Sequence, residues 1–179
     1  MKTVIVSFSS RINGNCHKIA NLIKESISDS VMFSFTDFSI HLCGSCNYVC
    51  FKQGNLCPYI DDMECKIYDA IIKSEMTYFI VPNYCDYPCA NYFAFNERSQ
   101  CFFQGKEELL NAYLKVPKRS IVVSNTNEEN FIKALSYQTE KEPDILFMPA
   151  KRYGKSSIKG DILTNEKAVS DIMEFVRLE

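Results

Sequence analysis

The stretch Thr3-Val4-Ile5-Val6-Ser7-Phe8-Ser9-Ser10-Arg11-Ile12-Asn13-Gly14-Asn15-Cys16 passes from a short, partly β-branched apolar run into a polar turn. Lys18-Ile19-Ala20-Asn21-Leu22-Ile23-Lys24-Glu25 follows, with apolar residues at helical spacing. Strand, polar loop and helix therefore come in that order. Backbone N–H groups of the loop and first helical turn, with Arg11 and the side chains of Ser9, Asn13 and Asn15, suit a phosphate or similar anion. The competing reading is a solvated turn, since Asn13-Gly14 is an ordinary turn signal.

Working outward, the pattern predicts strands over 3–8, 31–36, 76–81, 120–124 and 145–148. Helices are expected over 14–27, from Asp61-Asp62 through Ile72, over 89–101, around 107–113, and over 128–137 and 165–176. Met76 to Val81 is apolar but for Thr77, as in a central parallel strand, and the pattern halts it at Pro82. From Ile40 to Tyr59 periodicity is lost. Strands separated by helices predict an α/β fold in which a five-stranded parallel sheet is covered on both faces. In order 2-1-3-4-5, the carboxyl ends of strands 1 and 3 meet at the topological switch. Loops 9–16 and 82–88 then face each other across a crevice.

The 179 residues predict one domain. With 22 acidic and 20 basic residues there is no overall electrostatic case for nucleic acid. Two histidines, His17 and His41, rule out a site built from several histidines of one subunit. No stretch reaches the roughly 20 apolar residues of a membrane span, and no export signal is visible, so the expectation is a cytoplasmic protein without membrane partners. The nine cysteines are odd in number and sit in a long chain, unlike the framework of a small secreted domain. Lys151, Arg152 and Lys155 form a small basic patch to which no function is assigned.

In the second loop, Tyr84 and Tyr87 follow the buried strand. An aromatic face beside an anion site suits a flat, phosphorylated ring system, and core or interface packing is the plain alternative. Asn125, Thr126 and Asn127 lie where a third edge of the same pocket is expected.

Three motifs in order resemble the flavodoxin-like NAD(P)H-dependent FMN reductase family, and its cysteine-containing branch that includes the iron–sulfur flavoproteins. Phe8-Ser9-Ser10-Arg11-Ile12-Asn13-Gly14-Asn15-Cys16 is similar to the family's opening Gly-Ser-Pro-Arg-x-x-Gly-Asn-Thr loop. Cys43-Gly44-Ser45-Cys46, Cys57 and Asp61-Asp62-Met63 resemble its Cys-x-x-Cys, later cysteine and Asp-Asp-Met. Val81-Pro82-Asn83-Tyr84 and Glu97-Arg98 resemble its Ser-Pro-x-Tyr loop and Asp-Arg helix end. The resemblance implies a flavodoxin-like three-layer sandwich that binds FMN. It places Ser9, Arg11, Asn13, Asn15 and Cys16 at the phosphate. Pro82, Asn83, Tyr84, Cys85 and Asp86, with Tyr87, fall beside the isoalloxazine, and Ser124, Asn125 and Thr126 on the third flavin loop. Phe8, Ser10, Cys16 and Val81 depart from the family pattern, and a thiol at 16 is a poorer donor than threonine's hydroxyl.

The implied activity is an FMN oxidoreductase that takes electrons from NADH or NADPH and passes them to a small-molecule or protein acceptor, with no dedicated acid or base. The alternatives are an iron–sulfur flavoprotein exchanging electrons without nicotinamide, and a flavin-free structural or regulatory module. Cys43, Cys46, Cys50 and Cys57 would hold a [4Fe–4S] cluster or zinc in one reading and pack as free thiols in another. Their spacing departs from the branch by one residue, with Val49 in the expected place. Cys85, Cys89 and Cys101 read as redox thiols or as structural residues. The resemblance also implies a homodimer or homotetramer, for which the 40–60 segment and the aromatic 87–103 helix offer surfaces.

Overall fold

The computed structural model describes residues 2–52, 56–125, 132, 135, 139 and 141–177. Five parallel strands form its sheet: β1 (Thr3–Ser7), β2 (Ser30–Ser34), β3 (Met76–Tyr84), β5 (Lys118–Ser124) and β6 (Asp144–Pro149). They lie in the order β2-β1-β3-β5-β6, and a two-residue strand, β4 (Tyr87–Pro88), folds back antiparallel on the end of β3. This is the expected doubly wound order. The helices are α1 (Asn15–Ser26), α2 (Met63–Ile72), α3 (Ala90–Phe103), α4 (Glu107–Lys115) and α5 (Glu166–Arg177). Among the described residues no helix is long and apolar enough to cross a membrane. The helix expected over 128–137 lies almost wholly outside the described residues.

β3 runs three residues past the stop expected at Pro82, and the hydrogen-bond parity explains why. Met76 N–H donates toward the β1 side, to Lys2 O, and Thr77 N–H toward the β5 side, to Pro117 O. Residue 82 therefore turns its nitrogen toward β1, whose pairing with β3 has already ended at Ser7 opposite Ile80. The missing proline N–H costs the ladder nothing there.

Alternation along the strands sorts the core into two layers. Ile5, Tyr78, Ile80, Ile121 and Val123 face α1 and α5, meeting Ile19, Ile23, Ile172 and Phe175. Val4, Val6, Phe8, Phe79, Val81 and Val122 face α2, α3 and α4, meeting Ile67, Tyr68, Phe95 and Tyr113. Most of the aromatic excess of α3 is spent here: Tyr92, Phe95, Phe102 and Phe103 are buried, while Phe93 stays exposed. Tyr68 stacks on Phe95 and Phe102 with centroids 4.4 and 5.1 Å away.

Phe8 ends β1 fully buried, its ring 5.2–5.5 Å from those of Phe35, Phe79, Tyr92 and Phe95. Replacing it with alanine should destabilise the protein by about 3–5 kcal/mol in urea unfolding. Phe8→Leu should cost far less.

Arg98 closes the irregular segment against α2 and α3. Its side chain is 1% exposed. It donates to Asp62, to Tyr59 O at 2.9 Å and to His41 O at 3.3 Å. Its Nε lies 3.0 Å from Glu64 Oε2, an ion contact without hydrogen-bond alignment. Burial raises Asp62, but hydrogen bonds from the His41 backbone and ring and from Arg98 outweigh it and hold the carboxyl below its usual range. Burial pushes Glu64 up to about 8 against the pull of Arg98, and the Asp62 charge adds to the rise. A carboxyl raised in the folded state contributes stability below its ordinary pKa of 4.5 and loses it as pH rises through about 8. Denaturant unfolding between pH 5 and 8 should therefore show stability falling by at most ~1.4 kcal/mol per pH unit. Glu64→Gln should flatten that slope.

Candidate functional site

At the carboxyl ends of β1, β3 and β5, Ser9, Arg11, Asn15, Cys16, Pro82, Asn83, Tyr84, Cys85 and Asn125 line one cleft of about 250 Å³. Gly14, Val123, Ser157 and Ile158 complete it. Nine of the residues singled out in the sequence thus meet at the topological switch. Asn13, Asp86, Tyr87 and Ser124 stand just outside the lining, and Thr126 lies outside the described residues.

The amino end of α1 forms the floor. Gly14 is its N-cap, extended at φ −75° and ψ 164°, with no side-chain cap. Among the described residues no acidic side chain stands in the first turn of the helix, at its positive end. Ser9 Oγ accepts the Arg11 backbone N–H at 3.2 Å and shapes the loop. Cys16 is buried, which drives its thiol far above the ordinary value, so it remains a neutral, weak donor.

Phe8 does not enter the cleft. Its ring points into the opposite core, so the departure from glycine leaves the floor open. Its carbonyl accepts from Asn91 Nδ2 at 2.8 Å, and the same nitrogen lies 2.9 Å from Ser10 Oγ. Cys89 Sγ also reaches Phe8 O at 3.4 Å. Asn91 was invisible to sequence reasoning because only the packing of α3 against the end of β1 brings it there.

Asn15 is used differently from the expectation. Its Nδ2 donates to Ser156 O and Ser157 O, both at 3.2 Å, and its Oδ1 accepts Ile162 N–H at 2.9 Å. Lys18 Nζ donates to Gly160 O at 2.6 Å, and Arg11 to Ile158 O. The loop 156–160 is thereby strapped across the cleft. Gly160 has φ +69°, and a Cβ there would stand 2.4 Å from Asn13 O, so only glycine allows the approach. Nothing in the local sequence of 156–160 marks it as a partner of residues some 145 positions earlier.

The far wall is the β3–β4 hairpin, with Asn83 opposite Pro88 and Tyr84 opposite Tyr87. Asn83 Nδ2 donates to Ser124 Oγ at 2.7 Å, tying the wall to β5. The side chains of Tyr84 and Tyr87 are 55% and 50% exposed, so the rings are available as a surface and are not spent on the core. Burial of the hydroxyl raises the Tyr84 pKa, and the neighbouring Cys16 and Cys89 add to it. Cys85 and Asp86, at the tip, have φ 52° and 66°. That is the left-handed pair of a tight hairpin turn, made without the glycine or asparagine that normally supplies it.

The cysteines sort unexpectedly. Cys43 and Cys50 turn toward Cys101 on α3, with sulfurs 3.9 and 3.6 Å from it. Cys57 lies against Arg98 at 3.8 Å, and Cys46 takes no part in these contacts. Among the described residues no group of three or more His, Cys, Asp or Glu side chains is placed to hold a metal ion. The expected set of 43, 46, 50 and 57 is therefore not gathered at one point, because the loop and α3 direct its sulfurs to different neighbours.

No protein-family model and no curated protein matches the chain. Solved structures share its fold. The Trp repressor binding protein from Bacillus subtilis is similar over 99% of both chains, with TM-score 0.67 and 13% identity. An FMN-dependent NADH-azoreductase from Bacillus anthracis str. Ames Ancestor, in complex with FMN, is similar over 98% of both, with TM-score 0.64 and 9% identity. FerB, a flavoenzyme NAD(P)H:(acceptor) oxidoreductase from Paracoccus denitrificans, covers 98% of this chain and 96% of its own, with TM-score 0.55 and 14% identity. At such identities the likeness is one of fold. The chain is a flavodoxin-like three-layer sandwich.

Replacing Cys85-Asp86 by Asn-Gly supplies residues at ease in the left-handed region and should raise stability by about 1–2 kcal/mol in thermal or urea unfolding.

Proposed function

We propose that the protein is an FMN-binding oxidoreductase that takes reducing equivalents from NADH or NADPH and delivers them to a small acceptor. The observation that carries this reading is the convergence of three features on one cleft. These are the amino end of α1 without a side-chain cap, the Arg11 guanidinium, and a hairpin presenting two half-exposed tyrosines.

These residues fit FMN. Asn15 and Cys16 would hold the phosphate through main-chain N–H groups, with Arg11 supplying the opposite charge, while the Gly14 N–H is spent on Arg11 O at 3.1 Å. Arg11 is engaged by the neutral carbonyl of Ile158, and a phosphate is the stronger acceptor for the same guanidinium. The cleft is smaller than the roughly 300–1,000 Å³ of typical ligand pockets, which agrees with a ring lying over its rim on Tyr84 and not inside it. Pro82, Asn83, Cys85 and Asp86 would border that ring, with Asn125 and Thr126 on the third side. Asn15 supports the floor indirectly, by pinning the loop 156–160.

When bound, FMN supplies two-electron redox chemistry, and the chain's part is to position it and leave one face open to nicotinamide and acceptor. Tyr84 and Tyr87 shape that face. No side chain is assigned to proton transfer. A homodimer or homotetramer belongs to the same proposal, supported by the exposed apolar rim of Ile12, Tyr87, Phe93 and Ile158 around the cleft.

Titration of the protein with FMN, followed by quenching of flavin fluorescence, should show saturable binding. Arg11→Ala should weaken it about 10- to 100-fold, the loss of a charged hydrogen bond of about 1.5–3 kcal/mol. NADH or NADPH should then bleach the flavin absorbance within one turnover. Unquenched fluorescence at excess protein would refute flavin binding, and binding without bleaching would refute the nicotinamide step.

A further inference from the structure

The sequence presents Cys43-x-x-Cys46 as a local dithiol, yet the fold separates that pair chemically. Cys101, near the end of α3, touches the sulfurs of both Cys50 and Cys43, at 3.6 and 3.9 Å. These are ordinary contacts between non-bonded heavy atoms, whose favourable range is about 3.5–4.0 Å. Cys101 is the member common to both contacts. Cys50 is buried, while Cys43 and Cys101 are only half-buried, so the group is not sealed in a core.

The chain bends to make this arrangement. Cys50 sits in a single 3₁₀ turn, Val49–Phe51, and is preceded by Asn47 and Tyr48 at φ 53° and 54°. Asparagine visits the left-handed region readily, but Tyr48, with a full side chain, pays a steric penalty there. Simple packing of a small apolar thiol does not call for that expense, and backbone outliers of this kind cluster where a side chain has a task. Gly44, at φ +89°, makes the earlier bend that turns Cys43 inward. The segment is neither strand nor α-helix, so it can draw the sulfurs together over the ~1.5 Å that separates contact from a bond of about 2.05 Å.

We propose that Cys43, Cys50 and Cys101 form a thiol–disulfide exchange centre whose oxidising substrates are small-molecule disulfides, with Cys101 as the obligatory partner in every internal disulfide. The half-buried Cys43 sulfur attacks one sulfur of the incoming disulfide, loses its proton to solvent, forms a mixed disulfide and expels one small thiolate. Cys101 then attacks the Cys43 sulfur, loses its proton to solvent and expels the second small thiolate. The Cys43–Cys101 bond passes to Cys50–Cys101 when Cys50 attacks Cys101 and frees Cys43. In sum, two protein thiols and one small disulfide give one protein disulfide and two small thiols. Two electrons pass from protein sulfur to the small molecule. None of Cys43, Cys50 and Cys101 lines the cleft at the carboxyl ends of β1, β3 and β5, so this chemistry does not depend on the flavin reading.

The test is disulfide mapping of the full chain after equilibration with oxidised glutathione, quenching with an alkylating agent and trypsin digestion. Cys43, Cys46 and Cys50 share the peptide 25–52, and Cys101 lies in 99–106. The expected product is a cross-link between these two peptides, with two alkylatable thiols lost per chain. Cys46→Ser should retain the cross-link, Cys50→Ser should confine it to Cys43, and Cys101→Ser should abolish it with native circular dichroism. A disulfide within 25–52 in the wild-type chain, or a full complement of free thiols after oxidation, would overturn the proposal.

Discussion

The end of β1 carries the constraint on which the site depends. Phe8 continues the strand's alternation into the aromatic layer, where four rings surround it, and its backbone N–H still donates to Ile80 O at 3.0 Å. The next residues must therefore leave the sheet beside the end of β3. The Phe8 carbonyl accepts from Asn91 and Cys89, which anchors the start of α3 to the loop. One buried side chain thus sets the relation between the anion loop, the hairpin and the helix behind it. Burial of a large apolar group is well suited to this, because a close-packed interior tolerates little displacement.

The cleft built on that anchor has a second layer of control. Asn15, Lys18 and Arg11 each spend polar atoms on carbonyls of the loop 156–160, and Gly160 seats the loop against Asn13. The three strap contacts made by Asn15 and Lys18 hold the loop from the helix side. The Arg11 contact to Ile158 O joins the same loop to residues 9–16, so a single guanidinium links the loop to the lining of the cleft.

On the other side of the sheet, Arg98 gathers the carboxylates of Asp62 and Glu64 and carbonyls from His41 and Tyr59. An isolated charge there would be costly, and the surrounding acceptors offset its desolvation. This ion group holds both ends of the cysteine segment against α2 and α3. Three turns of α3 contribute in sequence: Asn91 at the cleft, Arg98 at the ion group and Cys101 at the thiols.

The order of the parallel strands, the two-sided core and the pairing of loop 9–16 with loop 82–88 were legible in residue order, because periodicity and turn chemistry are local signals. Arg11 and Tyr84 could be named for the same reason, whereas Cys85 was named through the family resemblance. Pro82 misled at the level of one strand, since its effect depends on which neighbour its nitrogen faces. Ser157 and Ile158 in the cleft lining, and the supports Asn91 and Lys18 behind it, were not legible, because they are placed by contacts between segments distant in the chain. The cysteines show the division most clearly. Sequence alone determined that many thiols crowd one irregular segment, and spacing drew attention to Cys43 and Cys46. Only the tertiary structure decided that Cys101 stands against Cys43 and Cys50, because a side chain's neighbours are set by how helices and loops pack, and spacing along the chain does not encode that.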